Sequence, residues 1–181
     1  KSVPFGTLLP VTNPLPPASS DPRTARLAEL CAIMERLRDK DAGCPWDLKQ
    51  TLATLVPYLR EELEEAAAAL PEVEAGRADP QEFREELGDL LFQVAFHARM
   101  AEELGAFDFA DVAQALADKM IERHPHVFAE AGDGRTAEHQ TVAWETLKAE
   151  KRAAKGVTSL LDDVAMALPA LQRAEKLTKR A

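Results

Sequence analysis

The segments REELEEA at residues 60–66 and EELGDLLFQVAF at residues 85–96 decide the fold. In the first, Glu62 and Glu65 are three positions apart and Glu61 and Glu65 four, so each pair falls on adjacent turns of one helix. Glu86 and Asp89 repeat the three-residue spacing in the second segment. Leu87, Leu90, Leu91, Phe92, Val94, Ala95 and Phe96 surround Asp89 on nearly every helical bearing, which predicts a mostly buried helix. An ionised Asp in such a place costs on the order of several kcal/mol unless it is paired or holds a metal. Gly88, about 1 kcal/mol worse than Ala inside a helix, suggests a point of close approach.

Two such helices side by side aim four or five carboxylates at one point, an oxygen-only set suited to a hard cation. Mg2+ is favoured because it accepts one or more carboxylates and keeps its remaining positions for water and substrate phosphates. The Glu-x-x-His pairs of di-iron bundles are missing, since Val94, Ile121, Arg123 and Thr136 stand three residues before His97, His124, His126 and His139. The competing reading is a solvated acidic face, which suits Glu64 and Glu85.

Outward from these segments the pattern stays helical. Leu27, Leu30, Ile33, Met34 and Leu37 mark one apolar helix face from Arg23 onward, and residues 41–47, with Gly43 and Pro45, break it. A second helix begins near Pro57, and Pro71 is expected to kink or end it. Asp79-Pro80-Gln81-Glu82 reads as a cap and first turn for a third helix that reaches about Leu104, with Gly105 as its stop. A fourth spans Phe109 to Arg123 behind the cap Asp108, and a fifth Ala137 to Ala154. Leu160 to Arg180 is helical by pattern and interrupted by Pro169. The six prolines of residues 1–22 predict an extended tail. With no sustained strand alternation, the expected fold is all-α, a four-helix core with additional helices. The domain organisation is a tail (1–22), a helical domain (23–155) and a C-terminal helical tail or linker (156–181).

A cationic side accompanies the acids. Lys119 and Arg123 lie four apart at the end of the fourth helix, where they complement the helix dipole or face a ligand. Trp144 and Lys148 repeat that spacing on the fifth. Trp46, in GCPWD at 43–47, either stacks on a base or anchors its loop, and RHPHVF at 123–128 reads as a turn that packs Val127 and Phe128.

The chain has 181 residues, 46% of them hydrophobic and 29% charged, which is ordinary for one globular domain with tails. Its net charge of -9 opposes binding to nucleic-acid phosphates, so no nucleic-acid partner is expected. Cys31 and Cys44 form no metal or disulfide pattern. No apolar run suits a membrane span or a signal peptide, and a cytoplasmic protein is expected. The chain opens on Lys1, so a natural start upstream is also expected.

Together GCPWD, Glu61-Glu62-x-x-Glu65, Glu86-x-x-Asp89, DLLFQV at 89–94, KxxxRHPHVF at 119–128 and WExxK at 144–148 resemble the MazG family of nucleoside triphosphate pyrophosphohydrolases. The likeness covers roughly residues 25–175 and is nearest to a first MazG domain with the start of an interdomain segment at 159–177. It implies a homodimer or larger assembly and Mg2+-dependent hydrolysis of nucleoside triphosphates to monophosphate and pyrophosphate, a nucleotide-pool house-cleaning role. It makes Glu62, Glu65, Glu86 and Asp89 the metal ligands, with Mn2+ as a substitute ion, and has Glu61 orient or activate water. Lys119, Arg123 and Lys148 contact phosphates, and Trp144 helps hold the nucleotide. The alternatives are a helical regulatory module with weak turnover and a narrow-specificity relative such as a dUTPase-like enzyme.

Overall fold

The computed structural model describes residues 21–128, 136–154, 164–166 and 168–180. Among them every regular element is a helix: α1 (Pro22–Leu37), α2 (Pro45–Lys49), α3 (Val56–Glu74), α4 (Pro80–Glu103), α5 (Phe109–Arg123), α6 (Pro125–Phe128), α7 (Ala137–Ala154) and α8 (Ala170–Arg180). The fold is all-α, as expected. None of these helices is long and apolar enough to cross a membrane.

Local chemistry sets most helix bounds. Asp21 and Pro22 are the cap and first residue of α1, and the Asp21 carboxylate accepts from the Arg23 amide at 2.9 Å. The rest of the expected N-terminal tail lies outside the described residues. Asp79 caps α4 in the same way, accepting from the Gln81 amide at 2.9 Å. At α5 the cap is reciprocal, with the Asp111 amide donating to Asp108 at 2.8 Å and the Asp108 amide to Asp111 at 3.1 Å.

Two expected breaks take a more definite form. Pro71 does not end α3, which runs three residues further. A proline there forfeits a single ladder bond near the helix end. The stop is Gly76, at φ 67°, beyond which the Arg77 amide closes onto Glu72 O at 2.8 Å. The 41–47 segment is a break that leads straight into α2, a helix absent from the sequence reading. Gly43 is required in this turn, because a Cβ would sit 2.4 Å from both Asp39 O and Leu37 O.

The described residues form two compact units, one ending at Lys119 and the other beginning at Met120. In the first, α3 and α4 are joined by five residues (75–79) into a helical hairpin, and α1 packs on α4. Met34, Leu55, Ala95, Phe96 and Met100 form its core, with Leu30, Leu37, Phe92 and Phe109 against it. Arg38 closes one end of this core. Its guanidinium lies 5.5 Å from the Phe96 ring centroid, donates to Asp47 O at 2.6 Å, and grips Glu103 through two bonds of 2.8 and 2.6 Å.

The expectation that α4 is mostly buried fails within the single chain. Gln93, Phe96 and Met100 face the core, whereas Leu87, Leu91 and Val94 form an exposed stripe. On α3, Val56, Leu63 and Leu70 recur every seven residues and are exposed as well. Periodicity records which faces are apolar, and says nothing of whether the same chain covers them. In the second unit, α7 supplies side chains to the turn between α5 and α6, and α8 starts directly after Pro169. Residues 155–163 and 167, including part of the expected C-terminal tail, lie outside the described residues.

Candidate active site

The α3–α4 hairpin brings Glu62, Glu65 and Glu86 together: one carboxylate oxygen from each lies within 4.8 Å of the other two. Glu62 and Glu86 are half-buried and Glu65 is exposed. The short connection decides this, since it fixes which turn of α3 stands beside which turn of α4. Asp89, one turn beyond Glu86, is exposed and outside the three-oxygen group. It shares the helix face of Gln93, Phe96 and Met100, four, seven and eleven residues on, but lies past the end of the core among carboxylates, where it is exposed and its charge acts on Glu62. Among the described residues Gly88 is not a point of close approach, for a Cβ there would meet nothing within 4 Å. Glu61 is exposed on α3 beside Glu62.

The electrostatics of the group are one-sided. Partial burial, then the charges of Asp89, Glu65, Glu61 and Glu86, push the Glu62 carboxyl above its ordinary range. Burial, then Glu65, Asp89, Glu85 and Glu82, does the same to Glu86. Among the described residues no Lys, Arg or His forms a salt bridge with Glu62, Glu65, Glu86 or Asp89. Ligand oxygens on an octahedral ion at about 2.1 Å stand about 3 to 4.2 Å apart, so a small side-chain rotation closes this group onto one hard cation. The residues present therefore fit a divalent ion with oxygen ligands.

Trp46 projects from α2 with 47% of its surface exposed and meets Tyr58 edge to face, ring centroids 5.6 Å apart. Tyr58 lies one turn before Glu61 and Glu62 on α3. Sequence reasoning missed it, although its four-residue spacing from Glu62 was readable. Arg38 was missed too, and its partner Glu103 is 65 residues away, beyond any local signal.

Lys119 and Arg123 occupy successive turns of α5, Lys119 exposed and Arg123 half-buried. Beyond them the RHPHVF turn half-buries Phe128, as expected, but leaves Val127 48% exposed, and His124 and α7 add to its hold. His124 Nδ1 lies 2.7 Å from Met120 O, so that nitrogen carries the proton. The Trp144 indole N–H donates to Arg123 O at 3.0 Å, and the Gln140 amide donates to the same oxygen at 2.8 Å. The His124 and Trp144 rings meet edge to face at 5.4 Å. The side chain of Lys148 lies outside the described residues.

The model of the MazG nucleotide pyrophosphohydrolase domain matches residues 50–128, which hold Glu61, Glu62, Glu65, Glu86, Asp89, Lys119 and Arg123. A nucleoside triphosphate pyrophosphohydrolase of Escherichia coli is 48% identical over 155 residues, covering 86% of this chain and 57% of that protein. A Thermotoga maritima protein named nucleoside triphosphate pyrophosphohydrolase/pyrophosphatase MazG is 40% identical over 153 residues, 84% of this chain and 55% of its own length. A nucleoside triphosphate pyrophosphohydrolase of Mycobacterium tuberculosis is 42% identical over 166 residues, 91% of this chain and 47% of its own. The chain thus spans about half the length of the curated relatives it matches.

Proposed function

Because the chain belongs, through residues 50–128, to the MazG nucleotide pyrophosphohydrolase domain family, we propose that it hydrolyses nucleoside triphosphates to nucleoside monophosphate and pyrophosphate. The observation that carries this reading is the group of three carboxylate oxygens within 4.8 Å of one another, which has no cation from the described chain. Mg2+, or Mn2+ in its place, is the proposed ion, with Glu62, Glu65 and Glu86 as ligands and Asp89 completing the set by rotation of its exposed side chain. When bound, it supplies neutralising charge for the triphosphate and Lewis acidity at phosphorus.

The chain's own residues do the rest. Glu61 accepts the proton of the attacking water, a task for an exposed carboxylate that is not itself a ligand. Lys119, Arg123 and Lys148 balance phosphate charge, and the Arg guanidinium offers paired donors to phosphate oxygens. Trp46 presents an aromatic face to the base. The functional domain in this reading is 23–155, flanked by tails, and it acts in cytoplasmic removal of unwanted nucleotides.

The reading includes a homodimer. Val56, Leu63 and Leu70 on α3 and Leu87, Leu91 and Val94 on α4 are 38–55% exposed and apolar. A second hairpin laid against this face completes a four-helix core. Light scattering tests it directly, with a dimer mass expected and a fully active monomer against it.

The activity is tested by incubating the chain with a panel of ribo- and deoxyribonucleoside triphosphates, with and without Mg2+, and resolving products by phosphorus NMR. Monophosphate and pyrophosphate in equal amounts, formed only with the metal, are expected. Diphosphate and orthophosphate, or metal-independent turnover, would overturn the assignment.

A further inference from the structure

We infer that Trp144 and Gln140 are positioning residues that hold Arg123 for the triphosphate, and that the Trp144 indole is not a surface for the nucleotide. This rests on the proposed contact between Arg123 and phosphate.

Arg123 is the last residue of α5, and its carbonyl is one of the four that a helix leaves without an intrahelical partner. Pro125 follows two residues later and has no amide hydrogen to donate back into the α5 ladder. Two side chains of α7 fill that role. Gln140, 17 residues along the chain, donates at 2.8 Å, and Trp144, 21 residues along, donates at 3.0 Å. A carbonyl oxygen has two lone pairs, so the two donors saturate it. The next residue is held as well, through the His124 Nδ1–H bond to Met120 O at 2.7 Å and the His124 ring against Trp144.

The polar edge of Trp144 is therefore committed to the backbone that carries Arg123, and its ring is engaged by His124. Meanwhile the Arg123 guanidinium has no ion-pair partner among the described residues. A long cationic side chain whose root is fixed by three hydrogen-bonded side chains is pre-organised, so less freedom is lost when it meets an anion. The conjunction of WExxK with KxxxRH in this chain then has a physical cause: the Trp of one motif is the clamp for the Arg of the other.

The two roles predict different kinetics. Trp144→Phe keeps an aromatic face and removes the N–H, and Gln140→Met keeps shape and removes the amide donor. If both residues act through Arg123, each variant lowers kcat/KM about three- to tenfold, the range for one hydrogen bond. The loss falls equally on all bases, and inhibition by inorganic triphosphate, which has no base to stack, weakens by the same factor. In an Arg123→Ala background neither change has any further effect. If Trp144→Phe does not fold, Gln140→Met carries the test alone. Wild-type kcat/KM in the folded single variants, or losses that persist undiminished beside Arg123→Ala with triphosphate inhibition unchanged, would overturn the inference while leaving the proposed activity standing. Wild-type kcat/KM in Arg123→Ala itself removes the phosphate role of Arg123 first, and this inference with it.

Discussion

Glu86 and Glu103 lie on the same helix, 17 residues and so about 25 Å apart at about 1.5 Å per residue, yet their surroundings act on them in opposite directions. Hydrogen bonds from Arg38 hold the Glu103 carboxyl below its ordinary range against partial burial, with Arg99 adding to the effect. Burial and neighbouring acids push Glu86 up. At one end of α4 the chain supplies its own cations and the acid serves the fold. At the other it gathers acids without a cation from the described residues, an arrangement that favours a metal from solution. An acidic residue's role is read from its partners rather than its type.

The largest effect expected from breaking this contrast is on turnover. Glu86→Gln or Glu62→Gln, each preserving shape and removing a ligand charge, should lower kcat/KM at least about 100-fold, roughly 2.7 kcal/mol, with the circular dichroism of the helices unchanged. Near-normal Mg2+-dependent turnover in both variants would remove the cluster from the site. Next comes stability at the opposite end. Only 9% of the Arg38 side chain and 26% of the Glu103 side chain are exposed, so Arg38→Met leaves a partly buried carboxylate alone and should cost about 2–4 kcal/mol in urea unfolding. A loss under about 0.5 kcal/mol would make that pair an ordinary surface contact.

A smaller effect is expected from pH. Glu62 and Glu86 have folded-state pKa values above their unfolded ones, so ionising them opposes folding, and the metal-free chain loses stability as pH rises through that window. Glu103 has the opposite sign: its contribution is present above the unfolded pKa and lost as pH falls through the lowered folded value. In melting curves recorded without metal from about pH 3 to 7, Glu62→Gln should reduce the loss on the rising side, and Glu103→Gln should reduce the loss on the acid side. The same slopes in both variants as in the parent would contradict this division. The smallest effect belongs to Glu64, exposed and outside the cluster. Glu64→Gln should leave turnover unchanged and move stability by less than about 0.5 kcal/mol.

What the sequence made legible was local. The caps at Asp79 and Asp108 lie within one turn of what they cap, and the bounds of α5 and α7 were readable to the residue. Glu62, Glu65 and Glu86 were legible as a group because three-residue spacing and a short hairpin together determine their neighbours. What stayed hidden was non-local. Arg38 meets Glu103 across 65 residues, and Trp144 meets Arg123 across 21, with no periodicity linking either pair. The burial of α4 was misread for a related reason, because Leu87, Leu91 and Val94 are apolar without being covered by their own chain. Asp89, on the core side of α4 but past the end of the core, was read as buried for the same reason.

Whether the carboxylate group holds a divalent ion is decided by Mg2+ titration of the metal-free chain, followed by its melting temperature. A ligand that binds only the folded state stabilises by about 2.7 kcal/mol at 100 times its dissociation constant. The melting temperature should rise with Mg2+ in the parent chain and in Arg38→Met, and stay flat in Glu62→Gln and Glu86→Gln, whose metal-free forms should melt above the parent because a repelling charge is gone. A parent chain indifferent to millimolar Mg2+, or a rise that survives in both Gln variants, would mean that Glu62 and Glu86 hold no metal.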